Sequence, residues 1–320
     1  MKKLIAVALA LVCALAVTIP AVAEIAYPTK NIEFIIPYAA GGGTDALMRV
    51  LMAAMEEEWG KSIIISNKGG NLGQVGLTEL AGKANDGYTL GALSNLDHIL
   101  VLLTGENVSY TYDSFEYIGA INTTANVLIA SAASGFETLD DMMDYAKKNP
   151  GGLTVSVSGK THIAEAALLE RAAGIKVTTI MQSSGGDSLN AVLGGHVDVA
   201  ILDKKFVAQV DGQGCHTLGI FCGERMDVVP DVPTFKEQGY DVATETYRVI
   251  VAPAGTPKEI CHAIAETMKK VTQTPEFQEK MANMGEIYRF LGPDEVKARL
   301  DGDYQAMVEM LEENPDALSR

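Results

Sequence analysis

Short runs of apolar, often β-branched residues alternate along the chain with segments whose apolar positions recur every three or four residues. The short runs predict these strands: Ile32–Ile36, Ile63–Ser66, Tyr88–Leu93, Tyr117–Ile121, Val127–Ser131, Leu153–Val157, Lys176–Ile180, Val197–Leu202, Thr217–Phe221 and Arg248–Val251. Strands that alternate with helices are typical of layered α/β proteins. We therefore predict an α/β fold with mainly parallel sheets.

Helical spacing is clear in three segments. Thr44–Trp59 places its large apolar residues on one face and an aspartate in its first turn. The residues that follow Gly255 predict a helix start, with Thr256 as N-cap, Pro257 at the first helical position and Glu259 closing a capping box. A last amphipathic helix is predicted after Pro293.

The amino-terminal segment has the pattern of a secretory signal peptide. Lys2 and Lys3 precede an apolar run from Leu4 to Ile19, and Ala21-Val22-Ala23 forms a small-residue cleavage site. The alternative is an uncleaved membrane anchor, but the run is shorter than the ~20 apolar residues that span a bilayer. We therefore expect residues 1–23 to be removed on export, which gives a periplasmic or otherwise extracytoplasmic protein.

The chain of 320 residues has 25 basic and 41 acidic residues and a formal net charge of −16. This charge disfavours nucleic acid and anionic membrane surfaces as partners. At ~100–200 residues per domain, the length suggests two domains. No low-complexity linker separates them, so ordered strands are expected to cross between two lobes within Ile121–Ser131 and Ala243–Val251. Lobe one then comprises residues 24–124 and 247–320, and lobe two residues 125–246.

Three cysteines follow the predicted signal peptide. If the residues between Cys215 and Cys222 form a strand, the two thiols lie ~23 Å apart, which is beyond the reach of a disulfide. A disulfide with Cys261 stays open as an alternative. We expect buried thiols.

Glycine-rich turns that lead from a predicted strand into a predicted helix occur in both lobes. The first is Pro37–Asp45, with the sequence PYAAGGGTD, and the second is Gln182–Asp187, with the sequence QSSGGD. Ser156–His162 is a third candidate, in which two hydroxyl side chains precede a helix. Such turns let a ligand approach the backbone closely, and the helix start offers free N–H groups to an anion. The alternative at each position is a tight turn that needs glycine for its dihedral angles.

Catalytic, metal and nucleotide motifs are weak. Gly159-Lys160-Thr161 lacks the first glycine of a phosphate-binding loop. His162 with Glu165, and His196 with Asp198, are short pairs without a third metal ligand nearby. No nucleophile elbow is present. We predict no catalytic residue, no metal and no cofactor.

An acidic protein must bind an anion through local donors rather than through its overall field. Lys160 and Arg248 are the cations nearest to the predicted cleft segments. A solvated surface position is the alternative for each of them.

Three groups of segments together resemble the extracytoplasmic solute-binding proteins of the tripartite tricarboxylate transporter family, often called Bug-type receptors. The first is Tyr27–Asp45, and the second pairs Asn67–Gly73 with Asn85–Leu90. The third pairs Val229–Phe235 with Ala252–Pro257. They occur in family order and span nearly the whole chain after the predicted signal peptide.

The resemblance implies a two-lobed, periplasmic-binding-protein-like (type II) fold with a central ligand cleft and a short strand hinge. It implies a receptor that closes on a small organic carboxylate, a di- or tricarboxylate or a related acid, and delivers it to the integral-membrane subunits of a permease. We expect a monomer that performs no chemistry on its ligand. The alternatives are a periplasmic module that signals the ligand to a membrane sensor and, with less support, an enzyme.

The resemblance also implies a ligand site in the facing loops of the two lobes. For Asp45 we expect a role in orienting its loop rather than direct ligand contact. The positions implied in lobe one and on its adjoining loops are Tyr38, Ala39, Gly42, Thr44, Asp45, Asn67, Ser94 and Asn95. Those implied in lobe two are Ser158, Thr161, His162, Ser184, Gly185 and Asp187.

Two departures from the family pattern lie in lobe two. The family's loop commonly reads Val-Pro-Tyr-x-Gly-Gly, whereas Ile180–Gly186 reads IMQSSGG and has polar residues in place of the aromatic one. Ahead of His162, the chain has Lys160 and Thr161 where many members have Gly or Ser. Both changes favour a polar, multiply charged ligand over an aromatic acid.

Overall fold

The structure is a computed structural model that describes residues 26–318, so the predicted signal peptide lies outside the described residues. The strands are β1 (Ile32–Ile36), β2 (Ile63–Asn67), β3 (Thr89–Ser94), β4 (Phe115–Thr123), β5 (Asn126–Ala130), β6 (Leu153–Val157), β7 (Val177–Met181), β8 (Val199–Asp203), β9 (His216–Ile220), β10 (Arg248–Pro253) and β11 (Ile287–Leu291). The helices are α1 (Gly43–Trp59), α2 (Gln74–Ala81), α3 (Asn95–Thr104), α4 (Leu139–Lys148), α5 (Lys160–Ala173), α6 (Gly185–Leu193), α7 (Val207–Val210), α8 (Lys258–Thr272), α9 (Pro275–Asn283) and α10 (Pro293–Glu313).

The strands form two sheets, with the orders β11-β4-β10-β3-β1-β2 and β7-β6-β8-β5-β9. The first sheet takes strands from both ends of the described chain, and the second takes strands from its middle. Helices pack on both sheets, and the predicted α/β class is confirmed.

The prediction of mainly parallel sheets is wrong, because both sheets are mixed. β1 pairs in parallel with β2 and β3, and β6 pairs in parallel with β7 and β8. β10 runs antiparallel to β3, and β5 runs antiparallel to β8. The reason is that β5 and β10 enter their sheets directly from the segments that connect the two sheets. β10 begins beside the end of β3, and β5 begins beside the end of β8, so each runs in the opposite direction to its neighbour.

Two chain segments cross between the sheets, and they lie side by side. Thr124 and Thr246 exchange two backbone hydrogen bonds of 2.8 and 2.7 Å between these segments. One buried hydrophobic cluster also extends across both sheets and includes Leu93 on β3 and Leu128 on β5. The sheets are therefore joined by paired backbone and by shared apolar packing.

Two details of the sequence prediction need correction. α8 begins at Lys258 after Pro257, and no side-chain cap is present. Thr256 instead donates its hydroxyl to the carbonyl of Pro253 at 2.7 Å, so it stabilises the preceding turn. β11, at Ile287–Leu291, was not predicted; four of its five residues are half-buried, and its sequence IYRFL carries no strong apolar run.

Candidate ligand-binding site

The carboxylate of Asp45 organises the first glycine-rich turn. Asp45 Oδ2 accepts a hydrogen bond from the Gly41 N–H at 2.8 Å, and Oδ1 accepts one from Asn67 Nδ2 at 2.9 Å. Asn67 Nδ2 also donates to the carbonyl of Tyr38 at 3.1 Å. The hydrogen bond from Arg49, together with those from Gly41 and Asn67, lowers the pKa of Asp45 to about 2 despite its burial. Asp45 and Asn67 thus hold the turn in shape.

The turn presents the start of α1 to solvent. Gly41 has a φ of +80°, in the left-handed region that favours glycine, and Gly42 precedes the helix without any side-chain cap. Ala39 and Gly42 are exposed. Because the first amides of a helix have no intrahelical partner, this helix start offers N–H groups and positive potential to an anion.

Arg248 lies beside this helix start. Its Nε approaches Thr44 Oγ1 at 3.4 Å, and its backbone N–H donates to Asn122 Oδ1 at 2.9 Å. The Nη1 of Arg248 is buried, and in the described part of the chain it has no hydrogen-bond partner. A guanidinium with a free buried donor next to a helix start suits a carboxylate.

Tyr38 and Ser94 form the wall next to Arg248. The Tyr38 hydroxyl accepts a hydrogen bond from the Ser94 N–H at 3.0 Å and also hydrogen-bonds with Asp97. Burial raises the pKa of Asp97, while the Tyr38 hydroxyl and the Arg248 charge partly oppose that shift. Burial likewise raises the pKa of Tyr38 well above its usual value. Tyr38 is therefore a fixed neutral group of this wall.

The side chain of Asn95 has a structural role that the sequence did not reveal. It is fully buried, and its Nδ2 donates to the carbonyl of Glu245 and to Asp303 Oδ2, both at 2.9 Å. Its Oδ1 accepts a hydrogen bond from the Tyr247 N–H at 3.0 Å. Both N–H donors of the Asn95 side chain are thereby used within the protein, which leaves it no free donor for an anion.

In the second lobe, His162 folds back on the turn before α5. The Ser158 N–H lies 3.2 Å from His162 Nδ1, and Ser158 Oγ lies 3.3 Å from the same atom. Burial lowers the pKa of His162 to about 4, so its ring is neutral at pH 7. Because Nδ1 accepts a backbone hydrogen bond, the ring proton is on Nε2, which is then a donor. Thr161 is half-buried in the first turn of α5, and Lys160 beside it is exposed.

Ser184 is the N-cap of α6, and it exchanges two hydrogen bonds with Asp187 in the first turn. Ser184 Oγ accepts from the Asp187 N–H at 3.1 Å and donates to Asp187 Oδ2 at 2.8 Å. Gly185 lies close to the ring of Phe206. A Cβ atom at this position would lie 3.3 Å from Phe206 Cε2. The Gln182–Asp187 turn therefore already satisfies one N–H of its helix start with Ser184, and its aspartate adds negative charge.

Glu165, considered above as a metal partner of His162, instead connects α5 to the crossing segments. Its carboxylate accepts hydrogen bonds from Asn126 Nδ2 at 2.9 Å and from Thr244 Oγ1 at 3.0 Å. Burial raises the pKa of Glu165 to about 8. The apolar neighbours of Glu165 on α5 were the sequence signal for its burial.

Most of the predicted positions form two groups, whereas Ser184, Gly185 and Asp187 lie at the start of α6 and Asn95 is bound to Glu245, Tyr247 and Asp303. Tyr38, Thr44, Asp45, Asn67 and Ser94 surround the start of α1, and Ser158, Thr161 and His162 surround the start of α5. We call these groups, with Arg248 in the first, the α1 half-site and the α5 half-site. No hydrogen bond joins the two half-sites among residues 26–318.

Other chemistry in residues 26–318 is limited. No group of three or more His, Cys, Asp or Glu is arranged to hold a metal ion there. None of the described helices is long and apolar enough to cross a membrane. Cys215, Cys222 and Cys261 are free thiols.

Known sequences show what this chain is similar to. The family described as "Tripartite tricarboxylate transporter family receptor" matches residues 47–294. The "UPF0065 protein in gbd 5'region" of Cupriavidus necator is 31% identical over 259 residues, which cover 80% of this chain and 79% of that protein.

Solved structures show a similar fold. A TctC solute binding protein from Polaromonas superposes with a TM-score of 0.82 at 24% identity, over 90% of this chain and 99% of that one. MatC from Rhodopseudomonas palustris with bound malate superposes with a TM-score of 0.63 at 24% identity, over 91% of this chain and 100% of that one. These likenesses confirm the predicted two-lobed fold of a periplasmic solute-binding protein.

Proposed function

Because this chain belongs to the tripartite tricarboxylate transporter receptor family, we propose that it binds a small organic dicarboxylate between its lobes and delivers it to a membrane permease. Membership in a family of solute receptors is what the sequence resemblance predicted. The dicarboxylate, the two half-sites and the permease are the proposal.

The observation that carries the proposal is the buried Nη1 of Arg248, which lacks a partner in the described chain. A buried polar group without a hydrogen bond costs ~1–3 kcal/mol, and more when it is charged. A ligand carboxylate at the start of α1 would accept from Nη1, from Thr44 Oγ1 and from the free amides of the first turn. The net charge of −16 makes such local donors necessary for binding any anion.

The α5 half-site supplies donors for a second carboxylate. His162 is neutral at pH 7 because burial lowers its pKa to about 4, and its Nε2–H adds a donor to the free amides of Lys160 and Thr161. A ligand with a carboxylate at each end would use both helix starts. The malate bound to MatC, a neighbour in fold, is a dicarboxylate and supports this choice of class.

The paired crossing segments provide the hinge of the proposed closure. We place the lobe boundaries at 124/125 and 246/247, on either side of the hydrogen bonds between Thr124 and Thr246. Lobe one then comprises residues 24–124 and 247–320, and lobe two residues 125–246. Closure needs only a higher affinity of the closed state for the ligand. Export through cleavage after residue 23 and action as a monomer belong to the same proposal.

A thermal-shift screen tests the ligand class. Residues 24–320, refolded to remove any bound ligand, are screened against malate, succinate, citrate, glutamate and benzoate. A ligand at ~100 times its dissociation constant stabilises a protein by about 2.7 kcal/mol, which is a shift of several degrees. We expect shifts with malate or succinate and none with benzoate. Shifts with benzoate alone would overturn the dicarboxylate assignment.

A further inference from the structure

One cavity lies outside both half-sites. It has a volume of about 610 Å³, within the ~300–1,000 Å³ of small-molecule sites, and we call it the accessory cavity. Its lining includes Lys204 and Lys205, Val207 and Val210 of α7, and Val228–Val232. It shares no lining residue with the α1 or the α5 half-site.

Lys204 is the buried charged residue in the lining of the accessory cavity. Only 6% of this residue is exposed, and its Nζ donates to Thr124 Oγ1 at 2.9 Å. An ammonium group has three donors, and no carboxylate pairs with Lys204 in the part of the chain that the structure describes. Because a buried charge without a counter-charge is costly, an anion in the cavity would stabilise Lys204.

Valines give the cavity its apolar walls. Val228 is 57% exposed, which is high for a large apolar residue. Val229–Phe235, one of the segments that carries the family resemblance, contributes to this wall and to neither half-site. Asp211, Asp231 and His216 also line the cavity, and all three are exposed. Water screens the charges of the two aspartates, whereas Lys204 is shielded from solvent.

We infer that the accessory cavity binds a monocarboxylate with an aliphatic body. The carboxylate accepts hydrogen bonds from the ammonium of Lys204, and the aliphatic body packs against Val207, Val210 and Val228. One buried cation matches one negative charge, and the valine walls match an apolar chain rather than a second carboxylate. This ligand class therefore differs from the one proposed for the cleft.

Cys215 provides a direct probe, because it lines the accessory cavity and is half-buried. Cys222 and Cys261 are buried, so a thiol reagent modifies Cys215 first. Hexanoate is the test ligand, and hexanamide has the same body without the charge. We expect hexanoate to slow modification of Cys215 saturably and to give a measurable heat of binding, while hexanamide does neither.

Two matched variants locate the carboxylate. Lys204→Met keeps the aliphatic stem without the charge and should weaken hexanoate binding by about tenfold or more, whereas Lys236→Met, at an exposed position outside the cavity lining, should change it by less than about twofold. Val228→Asp places a negative charge on an exposed wall position. It should weaken hexanoate binding and remains informative if Lys204→Met does not fold.

Several results would overturn the inference. They are the absence of hexanoate binding to the wild type at millimolar concentration, equal protection by hexanamide, or full binding to folded Lys204→Met. Arg248→Gln distinguishes the two sites. It should keep hexanoate binding even if the cleft proposal fails, and a loss of hexanoate binding in this variant would place the ligand in the cleft.

Discussion

The backbones of Thr124 and Thr246 form a reciprocal pair, in which each N–H donates to the other's carbonyl, at 2.8 and 2.7 Å. The two segments that connect the sheets are thereby held together at one level of the molecule. We propose that this pairing is the hinge about which the two lobes close on a ligand.

Loss of the Asp45 charge should destabilise the protein at neutral pH. The pKa of Asp45 is lowered to about 2, first by the hydrogen bond from Arg49, so its stabilising effect is present above the unfolded value of 3.8 and is lost as pH falls toward 2. Asp45→Asn should lower the free energy of unfolding by about 1–2 kcal/mol at pH 7.

Urea unfolding at pH 7 and at pH 3 measures this effect. Asp187→Asn is the matched control, because Asp187 is also a first-turn aspartate but is exposed. The difference between wild type and Asp45→Asn should shrink at pH 3. A difference that stays constant between the two pH values would show that the Asp45 charge does not stabilise the turn.

Glu165 should make stability fall with rising pH. Burial raises the pKa of Glu165 from 4.5 to about 8. The shift therefore adds to the free energy of unfolding fully below pH 4.5, and this added stability is lost as pH rises through 8. Asp203 is the charged group that acts on Glu165, and His162 is already neutral in this range because its pKa is about 4. From pH 6 to pH 9, the wild type should lose at least about 1 kcal/mol more than Glu165→Gln.

Denaturant unfolding at the two pH values tests this expectation. Glu279→Gln, at an exposed position on α9, is the control and should follow the wild type. If the stabilities of the wild type and Glu165→Gln fell equally with pH, the buried carboxylate of Glu165 would be excluded as the cause of the loss of stability.

The left-handed backbone at Gly41 should be needed for the shape of the turn. A Cβ atom at Gly41 or at Gly43 meets no atom within 4 Å, so space does not distinguish these positions. Only Gly41 has a positive φ, of +80°. Gly41→Ala should cost about 1 kcal/mol and weaken carboxylate binding, whereas Gly43→Ala in α1 should be neutral or slightly stabilising.

Thermal unfolding and ligand titration of the two alanine variants make a paired comparison. Equal effects of Gly41→Ala and Gly43→Ala would mean that the backbone conformation at Gly41 is not what shapes the site.

The sequence predicted the elements better than their arrangement. β1 and β6 were predicted to the residue, because short apolar runs between turn residues define buried strands. The direction of β5 and β10 could not be predicted, since it depends on how the chain crosses between sheets. β11 escaped detection because Tyr288 and Arg289 interrupt its apolar pattern.

At the site, too, local features could be predicted from the sequence and long-range contacts could not. The glycine-rich turns and the helix starts were visible as local patterns, and so was the role of Asp45 in its turn. The hydrogen-bond partners of Asn95 and of Glu165 could not be read from sequence, because they lie far away along the chain at Tyr247, Asp303 and Thr244. Polar residues with distant partners resemble surface residues in a single sequence.

The most direct test of the central claim is a calorimetric titration of refolded wild type and Arg248→Gln. The titrant is the dicarboxylate that gives the largest thermal shift, beginning with malate. Arg225→Gln is the control, because Arg225 forms an exposed ion pair with Glu237. A charge-assisted hydrogen bond contributes ~1.5–3 kcal/mol, so Arg248→Gln should weaken binding by about 10- to 150-fold and Arg225→Gln should leave it unchanged. Equal affinities of the wild type and folded Arg248→Gln would contradict a carboxylate site built on Arg248 and the start of α1.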